Sequence, residues 1–208
     1  MKKLVVAGYG LFAIGFGMKF FHAPFHALVM FMGILLLVIE NVSYALQKDK
    51  IAPVLFLRLA TNIILIYLLF LVKFYPFSIV PVVVGFVSIS IGIFLMAKTK
   101  RTIPATLSRA TLYPLMISII VSATVYFIPS HQRYYIFNIK FNHEIETDYR
   151  TWDKYSWFLY INNRPIDAER ASEKALEIVS QTTDELSFKQ IQSHRSKIKD
   201  RSWMSFSH

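Results

Sequence analysis

Five apolar runs of 18 to 22 residues, joined by short connections, fill the first 128 residues of this chain. They lie at Leu4–Phe21, Ala27–Leu46, Ala52–Val72, Pro76–Ala97 and Thr111–Ile128. A helix rising 1.5 Å per residue needs roughly 20 such residues to cross ~30 Å of hydrocarbon. The runs therefore predict an all-α polytopic membrane protein with five transmembrane helices. Of the 208 residues, 54% are hydrophobic and only 17% charged, with mean hydropathy +0.42. A soluble domain carries about 25% charged residues. Lys2-Lys3 before an apolar run also fits a signal peptide, but no small-residue cleavage site follows and the next run begins almost at once.

The charge lies beside the apolar runs. Residues 1–129 carry eleven Lys and Arg against Glu40 and Asp49, whereas Ser130–His208 is nearly balanced. This distribution argues against a nucleic-acid-binding stripe and for a protein flanked by membrane. Met1–Lys3, Gln47–Ile51 and Lys98–Ala110 together hold eight cations, and the alternate connections hold Lys73, with Lys19 near a helix end. The positive-inside rule then sets the N-terminus in the cytoplasm and, after five crossings, the C-terminal domain outside, in the periplasm of a bacterial inner membrane. The chain has no Cys, which excludes thiol chemistry and Cys-bound metals.

Ionisable groups inside a bilayer are costly and mark candidate functional sites. Glu40 and Arg58 stand nine residues either side of Asp49, so antiparallel helices would bring them to one depth as an ion pair. Asn62, one turn beyond Arg58, shares its face and would add a hydrogen bond. Lys19 is expected to snorkel to the outer interface. His22 and His26 have a metal-ligand spacing, but Pro24 lies between them in a turn, and no metal site or cofactor is expected. Ser88, Ser90, Ser118, Ser122 and Thr124 read as helix-packing groups, and Pro81 and Pro114 as kinks. The helix faces are otherwise mostly apolar and predict no polar cavity between them.

Tyr9-Gly10, Gly15, Gly17, Lys19-Phe-Phe-His22, Gly33 and Glu40 resemble the two-helix membrane hairpin of GldL, the membrane component of the Bacteroidetes gliding and type IX secretion motor. The resemblance spans about residues 4–46 and implies a proton-motive role for Lys19, His22 and Glu40.

After the fifth run, residues 130–142 form an aromatic, interfacial linker, as either a strand or an amphipathic helix. From His143 the pattern turns helical, with Trp152, Tyr155, Trp157, Leu159 and Tyr160 as an apolar face. Asn162-Asn-Arg-Pro165 makes a turn, and Asp167 would cap a second helix running to about Gln181. Trp152, Ala168 and Ala175 resemble the early Trp and two small positions of a tetratricopeptide repeat, with Ser156 where that repeat has Gly. A third helix from Asp184, with Phe188, Ile191 and Ile198 as its stripe, would cap the hairpin, and Trp203, Met204 and Phe206 would anchor it. Residues 143–208 are thus expected to be a small TPR-like extracytoplasmic domain.

So small a core needs neighbours. Partner contact is expected through Trp152, Tyr155, Trp157, Tyr160, Ala168 and Ala175, with envelope or membrane proteins as partners, the lipid bilayer as surroundings, oligomerisation possible and nucleic acid excluded. The sequence has no Gly-rich phosphate loop, no His-Glu-x-x-His and no Gly-x-Ser-x-Gly. It reads as a non-enzymatic membrane subunit that anchors an interaction module for assembly of an envelope complex. The alternative reading is an ion- or proton-responsive component that uses Glu40.

Overall fold

The computed structural model describes residues 2–47, 50–74, 79–98 and 105–203. It is helical throughout these residues, with no strand among them. The elements are α1 (Lys2–Phe20), α2 (His26–Ala45), α3 (Ala52–Lys73), α4 (Ile79–Lys98), α5 (Ala105–Phe127), α6 (Ser130–Asn138), α7 (Tyr149–Ile161), α8 (Pro165–Ser180) and α9 (Glu185–Lys199). The expected start of the fourth run at Pro76, the loop residues Asp49 and Lys100, and the anchor residues Met204 and Phe206 fall outside the described residues. Two compact units result, Met1–Lys19 with Ala23–Phe127, and Phe20–His22 with Ile128–His208.

In the first unit, α1 to α5 are each long and apolar enough to cross a membrane. Their polarity is inverted relative to a soluble domain. Phe31, Val42, Val83, Phe86, Ile117 and Ile120 are exposed, whereas Glu40, Asn41, Thr61, Asn62, Ser118 and Ser122 are buried. A protein in water does not leave so much apolar surface uncovered, and hydrocarbon is the solvent that suits it. The first unit is accordingly a multi-pass membrane domain. The central helix is α3, which packs against α2, α4 and α5 and buries Leu57, Ala60, Leu65 and Leu68 among its residues.

The α1–α2 hairpin is closed by glycine. A Cβ on Gly33 would lie 2.6 Å from the Phe12 amide nitrogen and 2.7 Å from the Gly8 carbonyl oxygen. Only a hydrogen at those positions lets the two backbones come this near.

The polar bundle residues act locally. Ser88 Oγ donates to Val84 O, Ser90 Oγ to Phe86 O, Ser118 Oγ to Leu115 O and Thr124 Oγ1 to Ile120 O. Each hydroxyl satisfies itself on a carbonyl of its own helix, because one is always within reach a turn back, and Ser88 and Ser118 are buried. Pro81 occupies the third position of α4, where the missing N–H has no helical partner to lose, so no kink is required there. Pro114 stands in the interior of α5.

In the second unit, the aromatic segment after Pro129 is a helix, α6, that buries His131, Tyr134 and Phe137. Tyr134 stacks on Phe158 at 4.8 Å, so α6 packs on α7. Burial pushes the Tyr134 phenol up from its ordinary pKa. Helix α7 begins at Tyr149, later than the expected His143, because Asp148 accepts from the Thr151 amide and caps it. Asp167 does not cap α8. Arg164 holds that position, Pro165 starts the helix, and Asp167 sits in the first turn paired with Arg164 at 2.7 Å. Ser156, Ala168 and Ala175 are each 0% exposed, and α7 and α8 close on one another through these small side chains.

Asp184 caps α9, accepting from the Ser187 amide and hydroxyl and from the Tyr149 hydroxyl. These hydrogen bonds hold its carboxyl down at about 2, from 3.8. A carboxylate with a lowered folded pKa contributes stability that is present above the unfolded value and is lost as pH falls toward the folded one. All three tryptophans, Trp152, Trp157 and Trp203, belong to this unit, so tryptophan fluorescence of the whole protein reports on it alone. Its denaturation midpoint should fall between pH 4 and pH 2. Asp184→Asn, which keeps a capping oxygen but no charge, should show a smaller fall over that range.

Candidate functional site

Two places in the molecule gather chemistry, one in each unit. In the membrane unit, the tight α2–α3 connection returns the chain so that Arg58 faces Glu40. Arg58 Nη1 donates to Glu40 Oε1 at 2.7 Å. The Glu40 side chain is 4% exposed and that of Arg58 14%. The Tyr44 ring lies under the guanidinium, 4.7 Å from its Cζ, and the Tyr44 hydroxyl accepts from the Ile51 amide at 3.0 Å. One side chain thus lies against the guanidinium and ties down the turn that positions it. The Thr61 hydroxyl donates to Leu57 O, and Tyr9 lines the same cavity as Glu40 and Arg58. This brings α1 to the same depth.

Beside the ion pair is a cavity of about 480 Å³ that the apolar character of the helix faces did not predict. Its lining mixes the polar Glu40, Asn41, Gln47, Arg58 and Asn62 with the apolar Val5, Val6, Leu37 and Leu107. Asn62 is 3% exposed, and its amide nitrogen has no hydrogen-bond partner. The hydrogen bond expected from Asn62 to the ion pair is therefore not donated by this nitrogen. A buried amide left unsatisfied costs about 1–3 kcal/mol, and this nitrogen is covered by protein with no surface of its own in the cavity.

Lys19 and His22 do not join Glu40. Tyr9 is level with the ion pair, and Lys19 lies ten residues further along α1, about 15 Å away along the axis. Lys19 is also 5% exposed, so protein covers a side chain expected at the interface. His22 has left-handed backbone (φ 52°) in the turn after α1, and His26 opens α2 with Nδ1 on the Ala23 carbonyl. The two do not share a helical face. Among the described residues, no three His, Asp or Glu side chains gather as metal ligands.

In the second unit, a groove of about 320 Å³ runs between α7 and α8. Trp152, Tyr155 and Leu159 form its floor, and Arg164, Arg170 and Lys174 stand over it with Asp167 as the one acid. Lys174 Nζ lies 5.0 Å from the centre of the Trp152 ring. Of the residues expected to meet a partner, Trp152 and Tyr155 line this groove. Ala168 and Ala175 are inside the core, where they pack the hairpin and have no surface to offer. Trp157 and Tyr160 point elsewhere and pack on Trp203 at 5.0 and 6.0 Å.

Sequence reasoning also missed a cross-link between α9 and α7. His194 Nδ1 is 3.0 Å from both carboxylate oxygens of Asp153, and its ring stacks on Trp203 at 4.7 Å. Forty-one residues separate the pair, and no local pattern announces such a contact.

Fold and sites together define a multi-pass, all-helical membrane protein with a small helical unit beyond its last span. No known protein family, characterised protein or solved structure matches the chain.

Proposed function

We propose that this protein is a non-enzymatic membrane subunit that holds a TPR-like helical module for docking an acidic segment of an envelope protein. The observation that carries this reading is the α7–α8 groove, where Arg164, Arg170 and Lys174 stand over an aromatic floor with Asp167 as the single counter-charge. Cations beside half-buried aromatic rings favour a peptide that brings carboxylates to the rim and an apolar side chain to the floor. The close packing at Ala168, Ala175 and Ser156 supports the likeness to a tetratricopeptide repeat. The cation asymmetry of the loops supports a cytoplasmic N-terminus and a periplasmic module in a bacterial inner membrane.

The test uses the full chain purified from native membranes in mild detergent, with a photo-crosslinking residue at Tyr155. The crosslink should map to an acidic stretch of a stoichiometric partner. Arg170 and Lys174 are exposed, so Arg170→Glu with Lys174→Glu should leave the fold intact and lower recovery of that partner at least about tenfold. Equal recovery by wild type and variant, or a crosslink to a segment without acids, overturns the reading.

A further inference from the structure

We propose that Phe21 and Phe141 seat the second unit on the lipid bilayer, their paired rings sinking into the boundary layer where α1 ends and the Lys140 ammonium reaching the headgroup phosphates. This surface is independent of what the α7–α8 groove docks.

The second unit contains the turn after α1, Phe20–His22, as well as Ile128–His208. Two aromatic pairs join these pieces. Phe20 packs on Phe137 at 4.8 Å, and Phe21 on Phe141 at 6.1 Å. The first pair belongs to the core, since Phe137 is 1% exposed. The second does not. Phe21 is 69% exposed and Phe141 40%, although each ring covers part of the other. Residues far apart in sequence thus make one open apolar patch.

Depth decides what covers the patch. Helix α1 is long and apolar enough to cross a membrane, and its 19 residues rise about 28 Å, close to the ~30 Å of hydrocarbon. Phe21 is the next residue, so the chain itself holds it where hydrocarbon gives way to headgroups. Phe141, in ring contact with it, shares that level. Val6 and Ile14, steps of eight and seven residues on the way to Phe21, are exposed on the same face of α1, so the patch continues a surface that already meets lipid. Phe side chains of interfacial segments bury themselves at this level.

Charge points the same way. Lys140 is exposed, and its Nζ lies 5.2 Å from the centre of the Phe141 ring. With the ring below the headgroups, the ammonium on its flexible stem comes up beside their phosphates. Glu144 and Glu146, both exposed, follow within a few residues and return the chain to water.

The chain has no Cys, so one introduced Cys carries a single nitroxide label. Phe141→Cys and Phe21→Cys are each labelled in the full chain, which is reconstituted alone in vesicles of phosphatidylglycerol and phosphatidylcholine. Electron paramagnetic resonance then compares relaxation by oxygen, which enters lipid, with relaxation by a water-soluble nickel chelate. Gln190→Cys on α9 is the reference for water, and Ile120→Cys on the exposed face of α5 the reference for lipid. The oxygen-to-chelate ratio at 141 should exceed that at 190 at least about threefold, as for a side chain sunk roughly 5–10 Å into the boundary. Phe21→Cys gives an independent reading, since each variant keeps the other ring. A ratio at both positions equal to that at 190 places the patch in water and overturns the proposal. Exclusion of both oxygen and chelate shows that protein covers it, a second copy or the chain itself, and overturns the proposal as well.

Discussion

Arg58→Met, made with Glu40 in place, should leave little folded protein in detergent. The substitution keeps the volume of the side chain and removes its charge, so the Glu40 carboxylate stays buried without its partner. Breaking one half of a buried ion pair costs about 3–5 kcal/mol, and the partial exposure of Arg58 toward the cavity places this pair at the lower end. Glu40→Met strands the guanidinium instead and should also lower the yield. The double variant, Glu40→Met with Arg58→Met, should recover to within about 1 kcal/mol of wild type or exceed it, because desolvating two charges cancels much of their attraction. Thermal melts of the four proteins form a double-mutant cycle whose coupling energy isolates the pair. Strictly additive losses would show that Glu40 and Arg58 do not depend on each other. A double variant that folds but loses partner binding or cell function would reassign the pair from holding the helices to carrying out the activity.

Gly33 should be the second most sensitive position. A methyl group there meets the backbone of Phe12 and Gly8, which cannot rotate aside as a long side chain would. Gly33→Ala should therefore destabilise the α1–α2 hairpin by about 1–3 kcal/mol, the range for overpacking, and Gly33→Val by more. Gly10 and Gly17 have nothing within 4 Å of a built Cβ. Ala at either position should be neutral, or stabilising by up to about 1 kcal/mol through helix propensity. Denaturant titration of the three alanine variants checks the opposite signs. Equal effects at all three would mean that the hairpin does not close through Gly33. The sequence shows seven glycines without distinguishing them. Which of them meet a neighbour depends on how α1 is rotated against α2.

The Glu40–Arg58 pair was legible because it depends on local facts. Two helices joined by a short turn must be antiparallel, and equal spacing from the turn means equal depth. The limits of α1, α2 and α3 were legible for the same reason, since apolar run length and the flanking cations are read directly along the chain, whereas α5 begins at Ala105, six residues before the expected Thr111, because its first turns carry the polar Thr106, Ser108 and Arg109. The expected start of α7 at His143 is six residues early because His143-Glu-Ile-Glu-Thr-Asp148 has the polar, acidic make-up of a first helical turn, whereas the helix begins where a side chain can cap it. The groove was half legible. Trp152 and Tyr155 stood out by type, but Arg164, Arg170 and Lys174 looked like ordinary surface charges until α7 and α8 brought them over one floor.

The sequence by itself determined the solvent of the first unit of this protein. Five apolar runs between cationic connections require a bilayer, because no other medium accepts so much apolar surface. Tertiary structure alone decided where the bundle leaves space. The cavity beside Glu40 needs Val5 of α1, Leu37 of α2, Asn62 of α3 and Leu107 of α5 at one level. Those residues are far apart along the chain, and periodicity fixes the polarity of each helix but not its rotation against three others. The same holds for His194 on Asp153. A void or a long-range contact is a property of several packed surfaces at once, and it comes into being only when they meet.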